Sequence, residues 1–280
     1  MLADWILVRI GRDLDTTRLM YAILEAGRTV RVMDYDEFIT ELEQPSNGTS
    51  CVVVFGGIAT TTAVATCRKW IPGSWHQPEF YSCRAYYAAW GRYITQKEYR
   101  MLSLEHVIQR QAELFDTLGR DDAIFIRPDE SEKIFDGKVI KREFFEGWHS
   151  TLLALVPRNT LCVVSTPVDI SEEYRLVIRR GKVVTGSLYR FAGSIELEPL
   201  ETRPEREDVI CFAQAVANDH PPPGLPPVYL MDLARAPTGE FSVLEVQSIS
   251  AAGLYRCDLA KLALAVSEEA EAQWEMEQRT

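Results

Sequence analysis

The sequence predicts an N-terminal α/β unit followed by α+β units, and three observations carry that class. Short apolar strands alternate with a helix in the first sixty residues. From residue 123 onward strands come mostly as neighbours joined by tight turns. The 280 residues are too many for one compact layer, so two or three subdomains are expected.

Trp5–Ile10 is an apolar run ending at Gly11, a first core strand. Leu19, Ile23 and Leu24 follow helical spacing, and Gly27 stands where a helix closes. Thr29–Met33 and Cys51–Phe55 are the next strands, and strand, helix, strand, strand implies mostly parallel pairing. Gly56 and Gly57 would let a ligand approach the backbone, but they form neither a dinucleotide fingerprint nor a P-loop, and a plain turn explains them equally. Trp70, Trp75, Phe80, Tyr81, Tyr86, Tyr87, Trp90 and Tyr93 suit either packing between units or the lining of a groove. His76 has no residue spaced for metal or triad chemistry and reads as a loop histidine. Tyr99–Leu118 carries apolar residues at helical intervals, and Gly119 ends that helix and the first domain.

Ala123–Pro128 is a strand stopped by proline, residues 129–138 form a polar loop, and Lys138–Lys141 resumes as strand. A helix over Phe144–Leu155 and a strand over Leu161–Ser165 follow. Glu173–Arg190 is a hairpin turning at Arg180, Gly181 and Lys182. A helix over Asp208–Ala217 leads into a proline-rich stretch that cannot be regular. The last elements are a hairpin, Val228–Ala234 with Phe241–Gln247, and a helix from Asp258 to about Gln273.

A net charge of −11 argues against a general nucleic-acid binder, which needs a basic surface. The six cysteines are scattered without a C-x-x-C pair, so buried thiols are expected rather than zinc or disulfides. The chain shows no membrane-length apolar run and no basic-then-apolar leader, so the expected location is the cytoplasm; oligomeric state is left open.

Chemistry concentrates in the last hairpin. Pro237 and Gly239 suit its turn. Alternation places Glu245 and Gln247 on one face and Leu244 and Val246 on the other, while Asp232 sits between apolar neighbours on the partner strand. Two carboxylates and an amide oxygen are hard ligands of the kind that hold Mg²⁺ beside nucleotide phosphates, although a half-solvated hairpin alternates in the same way.

From residue 123 on, the order of features resembles the ATP-grasp fold of ATP-dependent carboxylate–amine ligases. Arg127 before Pro128 stands where a lid strand carries a phosphate-binding cation, followed by Lys133 and Gly137 in the lid loop. Cys162–Pro167 resembles the hinge strand whose backbone, at Val163, Val164 and Ser165, would meet adenine. Glu173 and Arg175 match an acidic residue and an arginine near the nucleotide, and Arg190 a second arginine on the returning strand. Asp232, Glu245 and Gln247 match the metal-binding set. Three positions depart from the family pattern: Arg127 replaces Lys, Gln247 replaces Asn, and Leu230 stands where an arginine is common.

The resemblance implies a Rossmann-like pre-ATP-grasp domain at 1–119, a lid subdomain with hinge at 120–166, and a larger antiparallel-sheet subdomain at 167–280. It also implies ATP and Mg²⁺, with small-molecule or peptide carboxylate and amine substrates. Arg175 and Arg190 would act in catalysis; Arg127, Lys133, Val163, Val164, Ser165 and Glu173 would bind the nucleotide; Asp232, Glu245 and Gln247 would bind the metal. An inactive nucleotide-binding relative and a kinase with the same phosphate clamp are the alternatives.

Overall fold

In the N-terminal unit, β1 (Asp4–Val8), α1 (Leu14–Glu25), β2 (Thr29–Met33), α2 (Tyr35–Glu43), β3 (Ser50–Phe55), α3 (Ile58–Ala65) and β4 (Trp70–Gly73) build a parallel sheet in the order β2-β1-β3-β4. The computed structural model describes residues 1–9, 14–45, 48–66, 69–132 and 134–279. Both faces of this sheet are covered, which is why its strands read as unbroken apolar runs. Trp5, Leu7, Val53 and Phe55 face one core, and Ile6, Val8, Val52 and Val54 the other. Gly27 takes φ +70° just beyond α1, as its position predicts. The sequence reading omitted α2, α3 and β4; a capping box marks α2, with the Asp34 amide donating to Glu37 Oε2 at 3.1 Å.

After α4 (Cys83–Trp90) comes a four-stranded antiparallel sheet. Its elements are β5 (Tyr99–Ser103), α5 (Leu104–Gln109), α6 (Gln111–Leu118), β6 (Ala123–Pro128), β7 (Lys138–Lys141), α7 (Arg142–Leu152) and β8 (Leu161–Ser165), with strand order β5-β8-β6-β7. The single helix expected over Tyr99–Leu118 is therefore a strand and two helices. Tyr99–Ser103 pairs with β8, and the Ser103 hydroxyl then caps α5 by accepting the His106 amide. The apolar spacing beyond it is sound: Leu104, Val107, Leu114, Phe115 and Leu118 share one core with β6 and β8. The small unit thus extends to the N-terminal side of Gly119.

The third sheet is antiparallel, β11-β10-β9-β12-β13, from β9 (Glu172–Arg179), β10 (Lys182–Phe191), β11 (Ser194–Pro199), β12 (Val228–Arg235) and β13 (Phe241–Gln247), with α8 (Arg206–Ala217) ahead of β12. The β9–β10 turn has φ +47° at Arg180 and +75° at Gly181, the pair of positive values a tight hairpin needs. Gly239 takes φ +93°, and its amide closes the β12–β13 turn on Ala236 O at 2.9 Å. One face of this sheet packs Tyr174, Leu176, Tyr229, Met231 and Val246 against α4 and α8. Most of the aromatic segment is spent there: Tyr81, Tyr86, Tyr87 and Trp90 are core, so the packing reading holds for them.

The opposite face meets the N-terminal unit through α9 (Leu259–Glu277), whose Leu262, Ala263 and Val266 share a core with Trp5, Val53, Val177, Val228 and Leu230. Trp5 Nε1 donates to Ser267 Oγ at 2.9 Å, and Arg28 pairs with Glu271 at 2.7 Å. Leu230 is fully buried under this helix, which accounts for an aliphatic residue where the family commonly has arginine. Among the described residues no helix is long and apolar enough to cross a membrane, and four of the cysteines are buried free thiols while Cys211 is exposed. Ile10, Gly11 and Cys67 lie outside the described residues.

Candidate active site

Register builds the site. On one face of the large sheet, Val177 on β9 and Leu230 on β12 lie side by side under α9; two residues further, Arg175 lies beside Asp232. Asp232 is in turn opposite Glu245 on β13. Arg175, Asp232 and Glu245 therefore form a row across three strands just where the apolar cover ends, at the roughly 5 Å spacing of cross-strand neighbours. Arg175 Nε and Nη2 reach the two oxygens of Asp232 at 2.9 and 2.7 Å. Burial opposes the Arg175 charge, but the Asp232 carboxylate more than offsets it and raises its pKa. Both side chains are almost wholly buried.

A β-bulge changes the expected alternation on β13. The register slips between Asp232 and Leu233, so Val243 and Val246, three residues apart, both face the core. Leu244 consequently lines the same cavity as Glu245 instead of opposing it. Its carbonyl accepts from Arg127 Nη1 at 3.3 Å.

Arg127 comes from the small sheet. Ile124 and Ile126 on β6 point into that unit's core, which turns Phe125 and Arg127 toward the large sheet. Arg127 Nη2 donates to Glu245 Oε1 at 2.8 Å, tying the small unit to β13. The loop after β6 packs closely on the strand: a Cβ on Gly137 would lie 3.1 Å from Arg127 Cβ and from Phe125 Cζ. Glu173 accepts from Tyr189 Oη at 2.6 Å and from Arg190 Nη1 at 3.4 Å. Burial, then Asp232 and Glu173, push the Tyr189 hydroxyl well above its usual range, so it stays a proton donor to Glu173.

These residues surround a cavity of about 670 Å³, within the usual range for small-molecule and cofactor sites. It gathers Arg127, Glu173, Arg175, Arg190, Asp232 and Glu245. Gln247 stands at its inner end, its Nε2 donating to Asp232 Oδ2 at 3.0 Å and to Glu245 Oε2 at 3.2 Å. Lys133 lies outside the described residues. Val163, Val164 and Ser165 are not brought to the cavity. They sit in β8, which is laddered to β5 on one edge and β6 on the other, so their backbone groups are taken. The connection just beyond, with Thr166, Val168 and Ile170, lines the cavity instead, and a hinge contact belongs there.

Among the described residues no three His, Cys, Asp or Glu side chains converge as a metal centre. The oxygen set available to Mg²⁺ is smaller: Asp232, Glu245 and the Gln247 amide. It fits a hard cation, because the one amide group bridges an oxygen of each carboxylate, and turning it over replaces two N–H donors by an oxygen facing both.

The sequence reading passed over a second, smaller cavity of about 170 Å³ that shares Arg175 and Tyr255 with the first and adds His76, Ser131, Gln247 and Gly253. Tyr255 holds φ +49°, an uncommon backbone state for a bulky residue, and stacks on Tyr189 at 5.1 Å. Nothing in sequence spacing signals these residues, since they come from three separate connections.

Comparison with known proteins agrees with this arrangement. Crystal structures that share the fold include the D-cycloserine synthetase DcsG (TM-score 0.61, 15% identity, covering 95% of this chain and 99% of that one). A RimK domain ATP-grasp protein from Sphaerobacter thermophilus gives TM-score 0.61 at 10% identity, over 96% and 99% of the two chains. A D-alanine–D-alanine ligase from Bacillus anthracis gives 0.60 at 10%, over 100% and 99%. No curated protein matches the chain in sequence. Residues 92–264, more than half of the chain, match the model of an ATP-grasp domain family, the second family of its clade, and the chain belongs to that ATP-grasp family.

Proposed function

We propose that the protein is an ATP-dependent ligase that joins a carboxylate to an amine through an acyl phosphate, using Mg²⁺-ATP. The observation that supports this most is the row Arg175, Asp232, Glu245 across the large sheet, faced by Arg127 from the small sheet over one cavity. Two structural details belong to the same reading: a Rossmann-like unit precedes the ATP-grasp fold, and the small sheet is its lid.

In the proposed reaction a substrate carboxylate oxygen attacks the γ-phosphorus and ADP leaves; an amine then attacks the acyl carbon and inorganic phosphate leaves, with loss of one proton. Such transfers depend on positioning and charge more than on covalent help. Arg127, Arg175 and Arg190 would hold phosphate oxygens as planar forks, with Lys133 in the lid loop adding charge. Residues 166–170 would contact the base. Asp232, Glu245 and Gln247 would hold Mg²⁺, which when bound neutralises charge building on the phosphate oxygens. Phe125, Phe135 and Gly137 of the lid would exclude water.

Glu245→Ala tests this reading. Turnover, read as ADP and phosphate release that needs both an acid and an amine, should fall at least 100-fold while the protein stays folded. Unchanged turnover would remove Glu245 from the chemistry. A second reading, nucleotide binding without turnover, is favoured by one observation: Arg127 and Arg175 already occupy the carboxylates that would hold the metal. Mg²⁺-ATP binding with no turnover for any acid and amine pair would select it.

A further inference from the structure

His76 is 3% exposed, and neither ring nitrogen has a hydrogen-bond partner among the described residues. Its Nε2 lies 3.8 Å from Glu132 Oε1, too far for a hydrogen bond. Ser131 Oγ is likewise buried without a partner. Orphaned buried polar atoms are rare and costly, so two of them beside one cavity call for a ligand. They also come from different places, His76 from the connection after β4 and Ser131 from the lid loop. Neither connection would bury a polar atom for its own folding.

Both line the 170 Å³ cavity. At about 30 Å³ per water it has room for roughly six waters, or for one molecule the size of a small amino acid. Arg175 and Tyr255 form a wall common to this cavity and the larger one, and Gln247 touches its lining too. A molecule held here would therefore abut the phosphate-binding end of the proposed nucleotide site. The groups offered to it are an imidazole that can accept, a hydroxyl that can accept, and the Glu132 carboxylate beside the imidazole; Glu79 adds negative charge nearby. That set suits a donor with positive charge.

We infer that this cavity binds the amine substrate, a small primary amine of amino-acid size, with His76 and Ser131 accepting hydrogen bonds from its nitrogen. The inference rests on the ligase reading above for what the amine does, but not for where it binds. Lid and N-terminal unit would then each supply one contact, so the amine is held only when the lid is down.

The test is calorimetric binding to the full chain, with and without Mg²⁺-ADP, of a fixed panel: glycine, L-alanine, D-alanine, β-alanine, L-serine and ethylamine. At least one member should bind, and His76→Ala should weaken it at least tenfold while Mg²⁺-ADP affinity stays within twofold. His76→Gln, which keeps an acceptor, should recover part of the loss, and circular dichroism shows whether each variant is folded. Ser131→Ala, on an exposed loop, gives an independent reading if His76 variants do not fold, and should also weaken the amine. Binding unaffected by His76→Ala and Ser131→Ala overturns the inference, as does no binding by any panel member. Failure of Mg²⁺-ADP to bind would overturn the ligase reading alone, since the amine is also measured without nucleotide.

Discussion

The two adjoining cavities treat their polar groups in opposite ways. In the larger one three arginines are each matched with a carboxylate: Arg127 with Glu245, Arg175 with Asp232, Arg190 with Glu173. In the smaller one His76 and Ser131 bury polar atoms that find no partner among the described residues. Removing one member of a matched buried pair leaves an uncompensated charge and is costly. An unmatched buried group already carries its penalty, so replacing it with an apolar side chain of similar size relieves the fold. Stability should therefore fall on substitution in one cavity and rise in the other, while function falls in both.

The largest effect belongs to Asp232→Ala. Arg175 is left with the Gly253 carbonyl at 2.9 Å and the faces of Tyr189 and Tyr255. Those do not replace a bidentate carboxylate, and unfolding in urea should show a loss of about 3–5 kcal/mol. A loss under about 1 kcal/mol would mean that Arg175 escapes to solvent, and the contrast between the cavities would collapse.

Gln247→Glu sharpens the same contrast by turning the bridging donor into a third carboxylate. Without a cation, one of three neighbouring carboxyl groups must take up a proton or repel the others, at a cost of about 1–3 kcal/mol. The melting temperature should fall in chelator and recover with Mg²⁺. No response to Mg²⁺ in the variant would argue against Asp232 and Glu245 as cation ligands.

What was legible in the sequence follows the same division. Asp232, Glu245, Arg175 and Arg127 could be placed because strand alternation and register are local rules. A carboxylate within an apolar strand stays conspicuous after folding. The bulge that turns Leu244 into the cavity was not legible, because one inserted residue in a ladder depends on the partner strand. Val163–Ser165 were misplaced for a related reason. A short apolar run shows that a strand is buried, but not that both of its edges are already paired. His76 was noticed and passed over, since its surroundings are assembled from the lid loop and the segment after β13, far away in sequence.

His76→Leu tests the unmatched side, with a smaller effect of opposite sign. Burial pushes the imidazole below its ordinary value of 6.5, with Glu132 partly opposing. The unfolded chain then binds a proton near pH 6.5 that the folded chain does not. Stability from this group is present above that pH and is lost as pH falls from about 6.5 toward the lowered folded value. The leucine variant should be about 1 kcal/mol more stable at neutral pH and should lose less stability between pH 7 and 5. A variant less stable at every pH would show that His76 has a structural partner.

The smallest stability effect should come from Arg190→Ala, which separates belonging to the cavity from holding it together. Arg190 is half exposed and meets Glu173 at only 3.4 Å, while Tyr189 holds the same carboxylate at 2.6 Å. Exposed pairs of this kind contribute little, so stability should change by no more than about 0.5 kcal/mol. Its consequence lies in binding. A charge-assisted hydrogen bond to a phosphate oxygen contributes about 1.5–3 kcal/mol, so losing it should raise KM for Mg²⁺-ATP roughly 10- to 100-fold. The reverse pattern, a melting temperature several degrees lower with KM unmoved, would assign Arg190 to the scaffold and leave Arg127 and Arg175 as the phosphate clamp.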